Sequence, residues 1–153
     1  MSGSRRPHPH RLHAWHPLRR GVVHALAAVL ALGSFLTLAA TCQAATPAEL
    51  LAGYTAQAGS PASPARGQQF FNTQHGREWA CASCHGAVPT QTGKHAATGK
   101  AIQPLAPAFN AERFTDVAKA DKWFRRNCGD VVGRDCTPAE KADVLSWLAS
   151  IKP

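Results

Sequence analysis

The sequence has no methionine after position 1, a single tyrosine (Tyr54), and no acidic residue before Glu49. Each absence excludes something. Without a later Met, no thioether side chain from residues 2–153 is available to a metal centre. The missing acids concentrate the charge at one end. The chain carries 17 Lys+Arg against 9 Asp+Glu, a formal +8. Five of those cations (Arg5, Arg6, Arg11, Arg19, Arg20) lie in residues 1–44, which hold no acid. Residues 45–153 therefore keep 12 basic and 9 acidic side chains, 12 − 9 = +3. A domain at +3 has no strong electrostatic case for nucleic acid. No segment alternates apolar and polar residues convincingly, which argues against a sheet protein.

Residues 1–44 read as an export signal. An Arg- and His-rich start is followed by apolar Gly21–Ala40, with Leu26, Val29, Leu30, Leu32, Phe35, Leu36 and Leu38. Cys42 and Ala44 then supply the small residues of a cleavage site near Ala44–Ala45. The alternative is a retained anchor, since the apolar run approaches the ~20 residues that span a bilayer. The leader histidines (His8, His10, His13, His16, His24) fall in the processed segment. Export points to the periplasm and to an oxidising compartment.

The predicted mature domain, 45–153, is all-α. Thr46-Pro47-Ala48-Glu49 is a capping box, and a helix from Pro47 should stop at Gly59. Ser63 caps a second helix running to about Thr73. Residues 86–110 lack periodicity and read as ordered loop. Thr115 is placed as the cap of a third helix, Asp116 to about Asn127, with Val117, Ala120, Trp123 and Phe124 inward. Thr137-Pro138-Ala139-Glu140 repeats the capping box before a helix carrying Val144, Leu145, Leu148 and Ile151. Gly67 and Phe71 should let the second helix approach the last one closely, with Phe71 near Leu145 or Leu148.

Cys81-Ala82-Ser83-Cys84-His85 is a C-x-x-C-H motif. Two thiols one helical turn apart can add to the two vinyl groups of one porphyrin, and the next residue then lies under the iron. Cys81, Cys84 and His85 are thus assigned to one covalent haem c, with His85 as axial ligand. A thioredoxin-like pair lacks its βαβ context. A zinc site would need Cys128 and Cys136 as reduced thiolates, which export disfavours. Cys128 and Cys136 read instead as a disulfide, closing a nine-residue loop worth about 2.5 kcal/mol in the chain-entropy model.

The second axial position has no Met to fill it. His75, His95, a Lys, an Asn or an open site remain. Either histidine would give a closed, low-spin electron shuttle. Asn127 by residue type alone reads as a helix C-cap.

The chain resembles the sphaeroides haem protein family, small oxygen-binding monohaem cytochromes c. The residues that carry the likeness are Thr46 to Tyr54, CASCHGA, Gly99-Lys100, Pro104-Leu105-Ala106-Pro107 and Arg113-Phe114-Thr115-Asp116. The most diagnostic are Arg126-Asn127-Cys128 with Gly133-Arg134-Asp135-Cys136-Thr137-Pro138. The resemblance implies a class I cytochrome c-like fold and an unusual sixth ligand, the Asn127 side-chain oxygen, released on reduction so that O2, CO or NO can bind. It also implies a redox partner such as a dihaem cytochrome c or a membrane b-type cytochrome. An enzyme acting on small nitrogen oxides is a further reading. Lys94, Lys100, Arg113, Arg125 and Arg126 are candidates for haem propionates or an acidic partner.

Covalent attachment is checked by acid–acetone extraction. The haem should stay with the polypeptide, and a Cys81→Ala/Cys84→Ala variant should lose it to the solvent.

Overall fold

The structure, a computed structural model, describes residues 44–153. The export-signal reading lies outside them. Five helices carry the fold: α1 (Pro47–Ala58), α2 (Pro64–Asn72), α3 (Cys81–His85), α4 (Val117–Val131) and α5 (Pro138–Ser150). A two-residue antiparallel pair, β1 (Gly93–Lys94) with β2 (Ala101–Ile102), sits in the α3–α4 connection. A 3-10 turn at Pro107–Phe109 follows it. Among the described residues no helix is long and apolar enough to cross a membrane.

The helix starts are chemically specified. The Thr46 and Glu49 boxes close reciprocally, with the Thr46 amide donating to Glu49 Oε2 at 2.7 Å and the Glu49 amide to Thr46 Oγ1 at 3.2 Å. Thr137 and Glu140 repeat this at 2.8 and 3.2 Å. Each satisfies two N–H groups that a helix start otherwise leaves open. Gly59 ends α1 at φ 64°, the left-handed conformation glycine adopts without a Cβ penalty.

α5 lies at the centre, packed by both α1 and α2. Residues 142–148 are buried without interruption, so the helix is covered on every side. The apolar ones divide between two clusters. Ala142 and Leu145 join Leu50, Tyr54 and Ala120, whereas Val144, Trp147 and Leu148 join Phe71. Phe114 and Phe124 pack against both. The buried polar residues are satisfied. Asp143 accepts from Arg66 Nε and Nη2 at 2.7 and 2.8 Å and from the Ser63 amide at 2.6 Å. Ser146 donates to the Asp143 carbonyl at 2.8 Å.

Phe71 does pack with Leu148, and its ring lies 5.0 Å from that of Trp147. Three expectations about α4 are corrected. Its cap is Asp116, whose carboxylate accepts from the Lys119 amide at 2.9 Å, while Thr115 donates back to the Glu112 carbonyl. A carboxylate also suits the positive end of the helix dipole better than a hydroxyl. The helix continues to Val131 rather than ending near Asn127. Val117 and Trp123 are 49% and 43% exposed rather than buried. Trp123 and Phe124 are about 100° apart around the helix, and here they part. Phe124 goes inward and Trp123 lies beneath Arg126. The pairing of β1 with β2 adds a short strand contact to the segment expected to be loop.

At Gly67 a Cβ would collide with the Asp143 carbonyl. At Gly53, also helical, it would meet nothing. Gly67→Ala should therefore destabilise the holoprotein by about 1–3 kcal/mol, the usual cost of overpacking. Gly53→Ala should stabilise it by roughly 0.5–1 kcal/mol. Urea unfolding followed by far-UV circular dichroism separates the two signs.

Candidate functional site

Cys81, Cys84 and His85 all lie on α3, a helix of little more than one turn. The local sequence explains its limits. The Ala80 amide donates to Ser83 Oγ at 3.0 Å at its start, and Gly86 ends it at φ 80° immediately after His85. The segment 89–106 forms one wall. Leu105 and Ala106 both donate their amides to the Pro89 carbonyl, at 3.0 and 3.1 Å. Leu105 packs on the Phe71 cluster together with Cys81 and Ala82. β1 presses on α3 from outside, and a Cβ at Gly93 would collide with the Cys84 carbonyl. The Ala96 amide reaches Cys84 Sγ at 3.3 Å.

The electrostatics favour neutral groups. Burial pushes the Cys81 thiol up to about 11. Burial, and then the positive charge of Arg113, push the His85 imidazole down to about 4. At neutral pH His85 therefore keeps a nitrogen lone pair, which an iron ligand requires. Its ring lies 6.0 Å from Phe71. Cys81 and Cys84 are unbonded and half-buried. Two thiols one turn apart, a neutral imidazole beside them and a helix clamped by a glycine cradle together fit a covalently held haem. Among the described residues no three His, Cys, Asp or Glu side chains converge as a metal site. The zinc alternative fails on its ligand set, because Cys128 and Cys136 are bonded to each other, Cα to Cα 5.6 Å.

The candidate sixth ligands differ sharply. His75 Nε2 donates to the Phe70 carbonyl at 2.8 Å, and its ring stacks on Phe70 at 4.2 Å. His95 Nδ1 accepts from the Thr98 amide at 3.2 Å. A neutral ring whose Nδ1 lone pair is used carries its proton on Nε2, so His95 in this arrangement offers iron no free lone pair. Asn127 is inside α4, whose C-cap is Val132, so the capping role is overturned. Ala120, Phe124, Asn127 and Val131 follow a 4-3-4 spacing, one stripe of the helix. Ala120 and Val131 on that stripe are buried and Phe124 packs into the core, which makes Asn127 the polar member of an inward face.

α4 is pinned at both ends of this stripe. Tyr54 donates to Asp121 Oδ1 at 2.9 Å, and Lys141 Nζ reaches the same oxygen at 3.1 Å. The Lys141 ammonium lies 5.2 Å from the Tyr54 ring, which meets Phe124 edge-on at 5.7 Å. The Cys128–Cys136 bridge ties the other end to the start of α5. Gly93 was not singled out from the sequence. Thr92-Gly93-Lys94 and Thr98-Gly99-Lys100 look alike, and only packing shows which glycine rests on α3.

A helical shell around a short CxxCH helix with a neutral imidazole next to its two thiols defines a monohaem c-type cytochrome. A family model described as a domain of unknown function, DUF1924, matches residues 57–148. Cytochrome c-type protein SHP of Cereibacter sphaeroides is 52% identical over 109 residues, 69% of this chain and 84% of that protein. The structure of oxidised SHP, described as an oxygen-binding cytochrome c, superimposes with a TM-score of 0.67 at 49% identity. The match covers 71% of this chain and 99% of that one. The solution structure of cytochrome c'' from Methylophilus methylotrophus, described as giving insight into haem-ligand detachment, matches with a TM-score of 0.62 at 37% identity. It covers 70% of this chain and 94% of that one. The chain belongs to the sphaeroides haem protein family and is a class I-like cytochrome c with one haem c.

The Asp121 carboxylate yields a pH dependence. Burial raises its proton affinity, but the hydrogen bonds from Tyr54 and Lys141 and the charges of Lys141 and Arg125 outweigh this and lower it overall. A lowered acid contributes stability above its unfolded pKa and loses it as pH falls through the folded value. Melting temperature should therefore drop more steeply below about pH 4 in wild type than in Asp121→Asn. Parallel acid limbs would show that the cluster does not tie α4 to α1 and α5.

Proposed function

We propose that this is an exported, periplasmic cytochrome that accepts electrons and binds a diatomic ligand at a position that Asn127 holds in the oxidised protein and leaves in the reduced one. The observation that carries the reading is the placement of Asn127 on the inward stripe of α4, one residue before the Cys128–Cys136 bridge, in a chain with no Met after position 1 to compete. Haem c supplies an iron that exchanges one electron and offers a position for a small ligand. Cys81 and Cys84 would hold it covalently, and His85, neutral through burial, would supply a nitrogen ligand to the iron.

On the other face the Asn127 amide oxygen is a hard, weak donor. Such a donor suits the greater charge of ferric iron and suits ferrous iron poorly. Reduction would therefore favour release of Asn127, while the disulfide and the Tyr54–Asp121–Lys141 cluster would keep α4 nearby. The freed amide would then be available to donate a hydrogen bond to an incoming ligand. The relatives support both halves of this reading, since SHP is described as oxygen-binding and cytochrome c'' in terms of haem-ligand detachment. Electrons would come from a donor such as a dihaem cytochrome c or a membrane b-type cytochrome.

The test compares visible spectra of reduced protein with and without CO. Wild type should bind CO readily. Asn127→Ala should bind it as readily when reduced, and should admit water or added anions when oxidised. Asn127→His supplies a donor that persists on reduction and should slow CO binding at least roughly tenfold, about 1.4 kcal/mol of barrier. Reduced wild type indifferent to CO, with a low-spin spectrum abolished by His75→Ala or His95→Ala, would instead establish a closed bis-His shuttle.

A further inference from the structure

Arg113 is held in place by groups that cannot neutralise it. Its Nε donates to the Pro104 carbonyl at 2.9 Å and its Nη2 to the Gln103 carbonyl at 2.8 Å. The side chain is half-buried, and burial lowers its affinity for its own proton. The described ion pairs join Arg66 to Asp143, Arg134 to Glu140 and Lys141 to Asp121. Arg113 has no such carboxylate among the described residues. A guanidinium has five N–H donors, and with two used here, 5 − 2 = 3 remain. A cation withdrawn from water without a counter-ion is costly.

The position of that cation is informative. Gln103 and Pro104 lead directly into Leu105, which packs on the Phe71 cluster alongside Cys81 and Ala82. Arg113 is thus fastened through the 103 and 104 carbonyls to the segment that packs beside the CxxCH helix. The backbone is strained at the next residue. Phe114 has φ 61°, the one described non-glycine residue with positive φ, a conformation disfavoured for a side chain with a Cβ. This turn sends the Phe114 ring into both core clusters while Arg113 reaches the 103–104 carbonyls. Strain of this kind persists where the surroundings hold it and concentrates at functional sites.

We infer that Arg113 is the partner of a haem propionate, donating charge-assisted hydrogen bonds from its unused N–H groups. The inference rests on the haem c reading, because a porphyrin fixed at Cys81 and Cys84 brings its own carboxylates into the neighbourhood of Arg113. A guanidinium is suited to this by its planar, paired donors. The other cations singled out in the sequence, Lys94, Lys100, Arg125 and Arg126, are exposed, and Arg126 lies over the Trp123 ring at 5.6 Å.

The experiment is a spectroelectrochemical titration of the holoprotein between about pH 5 and about pH 8, the range in which a carboxylate freed in a partly buried site titrates. In wild type the propionate is held ionised and the midpoint potential should be nearly flat. Arg113→Gln removes a positive charge close to the iron, which favours the ferric state, so the midpoint should fall. It should also become pH-dependent, rising as the pH is lowered and the unpaired propionate takes a proton. Arg113→Lys, which keeps the charge without the fork to two carbonyls, should recover most of the potential and the flat profile while its melting temperature stays below wild type. An Arg113→Gln protein with wild-type potential and profile would overturn the proposal. So would an Arg113→Lys protein whose potential and slope depart from wild type as far as those of the Gln variant, the decisive comparison if Arg113→Gln fails to fold. Haem lost from wild type on acid–acetone extraction would overturn the underlying reading instead.

Discussion

The backbone of α2 rests on the backbone of α5 at Gly67, where any side chain would strike the Asp143 carbonyl. That contact sets the rest of the molecule. One turn later on α2, Phe71 enters the cluster of Val144, Trp147 and Leu148, against which Cys81 and Ala82 of the haem-attachment helix also pack. Asp143 closes the same crossing from the polar side, binding Arg66 and the Ser63 amide. A carboxylate buried in the central helix is tolerable because every oxygen has a donor. The two helices are thereby locked in register, and α3 inherits its position from them.

The attachment of α4 is built differently. α4 brings no glycine contact to α5. It is pinned by a polar and aromatic cluster at Tyr54, Asp121, Lys141 and Phe124, and by one covalent bridge from Cys128 to Cys136. Hydrogen bonds at a partly exposed carboxylate are individually modest. α4 is therefore held by a few specific ties rather than by close backbone packing. The α3 side rests on close backbone and apolar packing, whereas α4 depends on a polar cluster and one bridge.

Several features were legible because they depend on local chemistry. Both capping boxes, the Gly59 stop and the Ser63 cap are interactions within three or four residues, and the helices begin where those residues predict. The CxxCH spacing is likewise local, since one helical turn brings both thiols to one edge. The inward side of α4 was less legible. Trp123 and Phe124 are neighbours of equal hydrophobicity, and which one faces inward depends on where Tyr54 and Lys141 stand. Thr115 and Asp116 are both competent caps, and in the fold Thr115 donates to the Glu112 carbonyl while Asp116 accepts from the Lys119 amide.

The sequence by itself determined the helical class, the covalent haem c of the CxxCH segment, and the lack of any Met after Met1, because these follow from short-range spacing and from composition. Tertiary structure decided what spacing cannot express. It put Gly93 rather than Gly99 against α3, carried α4 past Asn127 so that this side chain lies on an inward stripe instead of a cap, engaged His75 and His95 in bonds of their own, and left Arg113 half-buried beside neutral carbonyls. Each of these outcomes depends on residues distant in the chain meeting at van der Waals or hydrogen-bond range, and such meetings are set by the packing of α1, α2 and α4 around α5.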